Sequence, residues 1–112
     1  MEKKKIINLT PHAVTIVNGG ESITIDPSGI VARCKQTDEQ TGYIETEYGD
    51  IPISETKFGE VIDLPDPKQD TCYIVSRLIM QACSEREDLL VPNEIVRDEN
   101  GVIIGCKSLA KN

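Results

Sequence analysis

His12-Ala13-Val14-Thr15-Ile16-Val17-Asn18-Gly19-Gly20-Glu21-Ser22-Ile23-Thr24-Ile25 is the stretch that decides the fold class. His12 to Val17 is a short run rich in Val, Ile and Thr, residues that suit a pleated, half-buried surface. Ser22 to Ile25 alternates polar and apolar, as a returning strand with one solvent face should. Between them, Asn18-Gly19-Gly20 tolerates the positive φ that a tight hairpin turn demands. The stretch therefore predicts a β-hairpin.

Upstream, Lys5 to Leu9 is a second short strand, separated from the hairpin by Thr10-Pro11. Downstream, Asp26-Pro27-Ser28-Gly29 reads as a turn, with Pro at the second position and Gly at the left-handed one. Ile30 to Lys35 restarts the alternation, setting Ile30, Ala32 and Cys34 against Val31, Arg33 and Lys35. Gln36 to Gly42 is polar and reads as a mobile loop. Tyr43 to Tyr48 and Gly49 to Ile53 read as two short strands around a turn, with Pro52 restricting the second to an edge or bulge. Lys57 to Leu64 is a further strand candidate, and Leu64-Pro65-Asp66-Pro67 opens a loop to about Asp70.

Thr71 to Val75 looks like a buried strand feeding into Ser76, a good helix N-cap. Leu78, Ile79, Ala82 and Cys83 then recur at helical spacing, and Arg86-Glu87-Asp88 ends the helix. Leu89-Leu90-Val91-Pro92 reads as an apolar exit. Ile95 to Arg97 and Val102 to Lys107 flank Asp98-Glu99-Asn100-Gly101, a second hairpin signal. The expected architecture is one α+β, β-rich domain over residues 1–112. It is an antiparallel sheet of short strands and hairpins with one principal helix.

Composition narrows the function by exclusion. A chain of 112 residues and 12.4 kDa is one compact domain large enough to fold without staples. With 4% aromatic residues and no Trp, an aromatic platform for single-stranded nucleic acid is not expected. A formal charge of −7 repels a phosphate backbone, which argues against duplex binding. No apolar run is long enough for a signal-peptide core or a membrane span, so no membrane partner is expected. Cys34, Cys72, Cys83 and Cys106 form no C-x-x-C and have one histidine, His12, for company; reduced, buried thiols in a cytoplasmic protein are expected, with no metal and no cofactor.

Catalytic motifs are absent. No Gly-x-Ser-x-Gly elbow or phosphate-binding glycine loop occurs, and His12 reads as closing the Thr10-Pro11 turn. The remaining chemistry is a scattered set: Arg33, Arg77, Asn93, Arg97, Asp98 and Lys107. Guanidinium forks bind phosphate, an amide reads a base edge and a carboxylate accepts ribose hydroxyls, so the set suits a phosphorylated nucleoside. The same residues also read as surface ion pairs, for example Arg97 with Asp98 or Glu94.

Several phrases together carry a resemblance over almost the whole chain. They are Asn8-Leu9-Thr10-Pro11-His12, Pro27-Ser28-Gly29 with Ala32-Arg33, and Gly59-Glu60-Val61 with Leu64-Pro65. Tyr73-Ile74-Val75-Ser76, Asp88 to Pro92, Val96-Arg97-Asp98, and Gly101 with Ile104-Gly105-Cys106 follow. The chain resembles the phage Thoeris anti-defence sponges of the first type. That resemblance implies a non-catalytic protein that sequesters a cyclic ADP-ribose isomer in the cytoplasm of the infected bacterium. Some such sponges also hold cyclic oligonucleotides. It further implies a homo-oligomer, a dimer or hexamer, with pockets at protomer edges; the many unpaired strand edges point to self-association as well. An aromatic stack on adenine would then fall to Tyr73 or to an arginine plane. Two other classes fit the same sequence: a small phage enzyme that hydrolyses a nucleotide signal, and a virion interaction module.

Overall fold

The structure, a computed structural model, describes residues 3–111. Its strands are β1 (Lys5–Asn8), β2 (Val14–Asn18), β3 (Glu21–Ile25), β4 (Arg33–Thr46), β5 (Gly49–Ile62), β6 (Thr71–Ile74), β7 (Leu89–Arg97) and β8 (Ile103–Ala110). One helix, α1 (Arg77–Ala82), lies between β6 and β7. The β-rich character and the single short helix agree with the sequence reading.

Six strands form one sheet in the order β1-β6-β7-β8-β2-β3. The expectation of an antiparallel sheet is corrected here, because β6 runs parallel to both β1 and β7, and β2 runs parallel to β8. Parallel neighbours require long crossovers, and the chain from Leu9 to Asp70 is such a crossover between β1 and β6. The sheet curls until its edges meet: Asn8 of β1 bridges Pro27, just past β3, and the Ser28 amide donates to the Asn8 carbonyl at 2.9 Å.

β6 is the spine of the core. Flanked on both sides, all four of its residues are buried, as a continuous apolar strand should be. Tyr73 and Val75 pack with Leu9, Ala32, Ile79, Met80, Leu89 and Val91 on one side, and Ile74 packs with Val14 and Cys106 on the other. Leu89-Leu90-Val91, expected as an exit, is instead the buried first third of β7. The pairings Tyr73↔Leu89 and Ile74↔Leu90 account for that burial.

Ser76 caps α1 as expected, its hydroxyl accepting from the Ile79 amide at 3.4 Å. The helix is shorter than its apolar spacing suggests. It ends at Ala82, where the Cys83 amide still donates to the Ile79 carbonyl, and the Arg86 amide then turns back onto the Cys83 carbonyl. The buried helical residues are Ile79 and Met80, whereas Ala82 is exposed. Because the chain must return to pair β7 with β6, no second helical turn can form.

Gln36 to Gly42 is not a loop. It lies within β4, whose 14 residues pair antiparallel with the 14 of β5 as a separate two-stranded arm. Both faces of such an arm meet water over most of its length, so no hydrophobic alternation marked it. The arm accounts for a radius of gyration of 18.1 Å, against roughly 13 Å for a compact chain of this length.

Candidate functional site

A cleft of about 440 Å³ opens where the start of β2, the exit of β6, the middle of β7 and the start of β8 converge. Its walls include Thr10, His12, Thr15, Ser76, Arg77, Pro92, Ile95, Ile103 and Ile104. Arg77 and His12 line it, and among the described residues no Asp or Glu does. In a chain of net charge −7, a guanidinium and an imidazole on one cleft with no carboxylate make it a suitable place for an anion.

Three local features build it. The first is Asn8, 1% exposed, whose amide donates to the carbonyls of His12 at 2.8 Å and Ile25 at 3.0 Å. Its Oδ1 accepts from the Thr10 amide at 2.9 Å and the Thr10 hydroxyl at 2.7 Å. One buried side chain thus fixes the turn from Leu9 to His12, and the His12 carbonyl, not its ring, closes that turn. The second is Gly105, where an added Cβ would lie 2.8 Å from the Thr15 carbonyl oxygen; only glycine lets β8 approach β2 so closely. The third is a register shift in the last hairpin. Val96 pairs with Gly105 and Arg97 with Ile103, which leaves Ile104 as an extra residue. A bulge of this kind disrupts the strict alternation, and both Ile103 and Ile104 line the cleft, each about half exposed.

Of the seven residues expected to bind a ligand, Arg77 lines the cleft and the other six do not. Tyr73 is fully buried, with its hydroxyl donating to the Asp66 carbonyl at 3.4 Å, so it offers no face for stacking. Arg33, at the foot of β4, pairs with Asp63 at 3.5 Å across exposed surface. Asn93 donates to the Ser108 hydroxyl at 3.4 Å, and that hydroxyl donates to Glu94 at 2.9 Å. Arg97 donates to the Gly101 carbonyl at 2.9 Å, pairing with neither Asp98 nor Glu94. Asp98 organises the hairpin turn by accepting from the amides of Asn100 and Val102. Lys107 is exposed and follows Cys106, which faces the cleft; strand alternation turns Lys107 the other way.

The structure adds His12, Thr10, Ile95, Ile103 and Ile104 to the cleft. Nothing in a single sequence brings the Thr10-Pro11-His12 turn next to the last hairpin, because the parallel contact of Ile16 with Cys106 is what joins them.

The potential nucleophiles at the cleft are already engaged. Cys106 is buried, and its thiol donates to the Thr15 carbonyl at 3.6 Å. The Ser76 hydroxyl caps α1. Away from the cleft, burial and then the nearby Glu85 push the Cys83 thiol upward, which keeps it protonated at neutral pH. Cys34, Cys72, Cys83 and Cys106 are all free thiols, two buried and two half-buried. Among the described residues no cluster of His, Cys, Asp or Glu has the makings of a metal site. No helix is long and apolar enough to cross a membrane.

The best-formed ion pair lies elsewhere. Arg86 holds Asp88 through two hydrogen bonds of 2.8 Å and donates to the Pro65 carbonyl at 3.0 Å. Those hydrogen bonds hold the Asp88 carboxyl below the ordinary carboxylate range and raise Arg86. The pair tethers the Pro65 loop to the start of β7 and is structural. Compared with protein-family models, with curated proteins and with solved structures, the chain finds no match, so the cleft's own chemistry must carry the functional reading.

Proposed function

We propose that this protein is a non-catalytic binding protein that captures a cyclic ADP-ribose isomer, or a related cyclic nucleotide, in the cleft around Arg77. Capture would withhold the signal from its receptor in the cytoplasm of an infected bacterium, and the protein would work as a homo-oligomer. The observation that supports this reading is a cleft of about 440 Å³ that offers a guanidinium and an imidazole, presents no carboxylate among the described residues, and is otherwise mainly apolar. Volumes of a few hundred Å³ with few, placed polar groups suit small-molecule sites. In the bound state Arg77 would meet a phosphate, and Ile95, Ile103 and Ile104 would cover the base. With Tyr73 in the core, base contact is aliphatic or comes from the guanidinium plane. The lack of a carboxylate favours storage over hydrolysis, since among the described residues that line the cleft His12 is the one imidazole and no Asp or Glu stands beside it.

The test is calorimetry with a cyclic ADP-ribose isomer, followed by heat denaturation and chromatography of the released ligand. Binding with intact ligand recovered supports the reading, and Arg77→Ala should then weaken capture by about 1.5–3 kcal/mol, roughly ten- to a hundredfold. A released product would convert the protein to an enzyme of the same signal. No binding by any such cyclic nucleotide would leave the interaction module.

A further inference from the structure

Glu94 stands inside β7 with a backbone that strands do not use. Its φ of +56° lies in the left-handed region, where the Cβ of an L residue crowds the following carbonyl. Among the described residues, the other non-glycine positions with positive φ are Asp63 and Asp70, both in the connection between β5 and β6. Asp tolerates that conformation through a short polar side chain that bonds locally; Glu94 has no such side chain. Asn93 pairs with Ser108 and Ile95 with Cys106, and the ladder skips Glu94 between them. The Glu94 carboxylate accepts from the Ser108 hydroxyl at 2.9 Å, and Asn93 donates to that hydroxyl at 3.4 Å.

Packing on the two sides of the sheet marks a change of face at this point. Val91 lies in the Tyr73 cluster, and its partner Ala110 packs on the same cluster. Strict alternation along β8 would put Cys106 on that side too. Cys106 instead packs with Val14 and Ile74 on the other side, where Leu109 also lies. The hairpin therefore turns over between Leu109 and Cys106, level with Glu94. The register shift at Arg97 comes after this point and is not its cause. Ile95 turns over with its partner Cys106, and both line the cleft together with Val14.

We propose that Glu94 is a positioning residue of the cleft: its left-handed backbone aims Ile95 and Cys106 into the cleft and so sets the aliphatic wall that a bound base would meet. Backbone strain of this kind collects at ligand sites, where it shapes a wall before the ligand arrives. Flattened to ordinary strand geometry, β7 would carry Ile95 and Cys106 away from Val14, and the cleft would lose that wall. The role in capture rests on the cleft as the ligand site, whereas the geometry assigned to Glu94 exists without ligand.

Two substitutions separate the backbone from the side chain. Glycine accepts a left-handed φ while losing the carboxylate, whereas a β-branched valine is strongly disfavoured there. In NOE spectra of the ligand-free protein, wild type should show a strong amide–Hα cross-peak within Glu94 and contacts between Cys106 and the Val14 methyls. Glu94→Gly should keep the Cys106–Val14 contacts, and Glu94→Val should lose them. In calorimetry with a cyclic ADP-ribose isomer, Glu94→Gly should bind within about twofold of wild type and Glu94→Val at least about tenfold more weakly. A wild type without the Glu94 cross-peak overturns the proposal, as does a Glu94→Gly protein that loses the Cys106–Val14 contacts. So does a folded Glu94→Val protein that keeps those contacts or captures as well as wild type. Weak capture by Glu94→Gly with the contacts intact would give the role to the carboxylate and overturn it too. If Glu94→Val does not fold, wild type and Glu94→Gly decide. A wild type that binds no cyclic nucleotide retires the ligand reading alone, because the contacts in the ligand-free protein still decide this one.

Discussion

Asn8 shows how much a single buried amide can organise. It makes four hydrogen bonds, and all four partners belong to the turn at the cleft or to the closing edge of the sheet. Asn8→Ala leaves the carbonyls of His12 and Ile25 without that donor, and should cost about 3 kcal/mol in urea denaturation. His12→Ala removes an imidazole whose backbone carbonyl alone is used in the turn. It should cost under about 1 kcal/mol of stability and, if the cleft stores its ligand, leave the recovered ligand intact. A different residue-scale effect comes from Asp88. Its folded-state carboxyl is held low by Arg86, so the associated stability is present above the unfolded carboxylate range, about pH 4, and is lost as pH falls through the lower folded value. Asp88→Asn should therefore cost about 2 kcal/mol at neutral pH. The gap from wild type should close on acidification below about pH 4, when unfolding is followed against pH for both proteins.

Elements were legible wherever local chemistry decides them. Gly19 and Gly20 take φ of +58° and +89° in the two-residue turn that Asn18-Gly19-Gly20 announces. Gly101, at +81°, closes the last hairpin, and Ser76 caps the helix it was expected to cap. What stayed hidden depends on partners far along the chain. The burial of Leu89 to Val91 follows from pairing with β6, and the arm strands carry no alternation because neither face is committed to a core. The site was least legible for the same reason. Arg77 was identifiable from its place at the start of the helix, but Gly105 and the Ile103–Ile104 bulge matter through β2 and β7, which no local pattern reports. Gly105→Ala places a methyl 2.8 Å from the Thr15 oxygen. It must push β8 from β2 at the floor of the cleft, costing about 1–3 kcal/mol and weakening capture more than a similarly destabilising change in the Arg86–Asp88 pair. Paired thermal melts and ligand titrations on the two variants measure that difference.

At the scale of the molecule, body and arm divide the labour. Both core clusters lie in the body, which draws on the arm only at its foot, through Cys34 and Val61. None of the residues lining the cleft falls between Arg33 and Ile62. Asp38 and Thr56 face each other and are joined by a 2.6 Å hydrogen bond, so they can flank a two-residue turn. Replacing residues 39–55 by Asn-Gly, which suits such a turn, should give a chain that folds with its β-spectrum intact. By small-angle scattering, its radius of gyration should fall from the 18.1 Å of the full chain toward the roughly 13 Å of a compact domain. Because the cleft keeps every wall, affinity for a ligand bound there should stay within about threefold of wild type, which corresponds to less than about 1 kcal/mol. Loss of ligand by the shortened chain would instead mean that the arm belongs to the binding site.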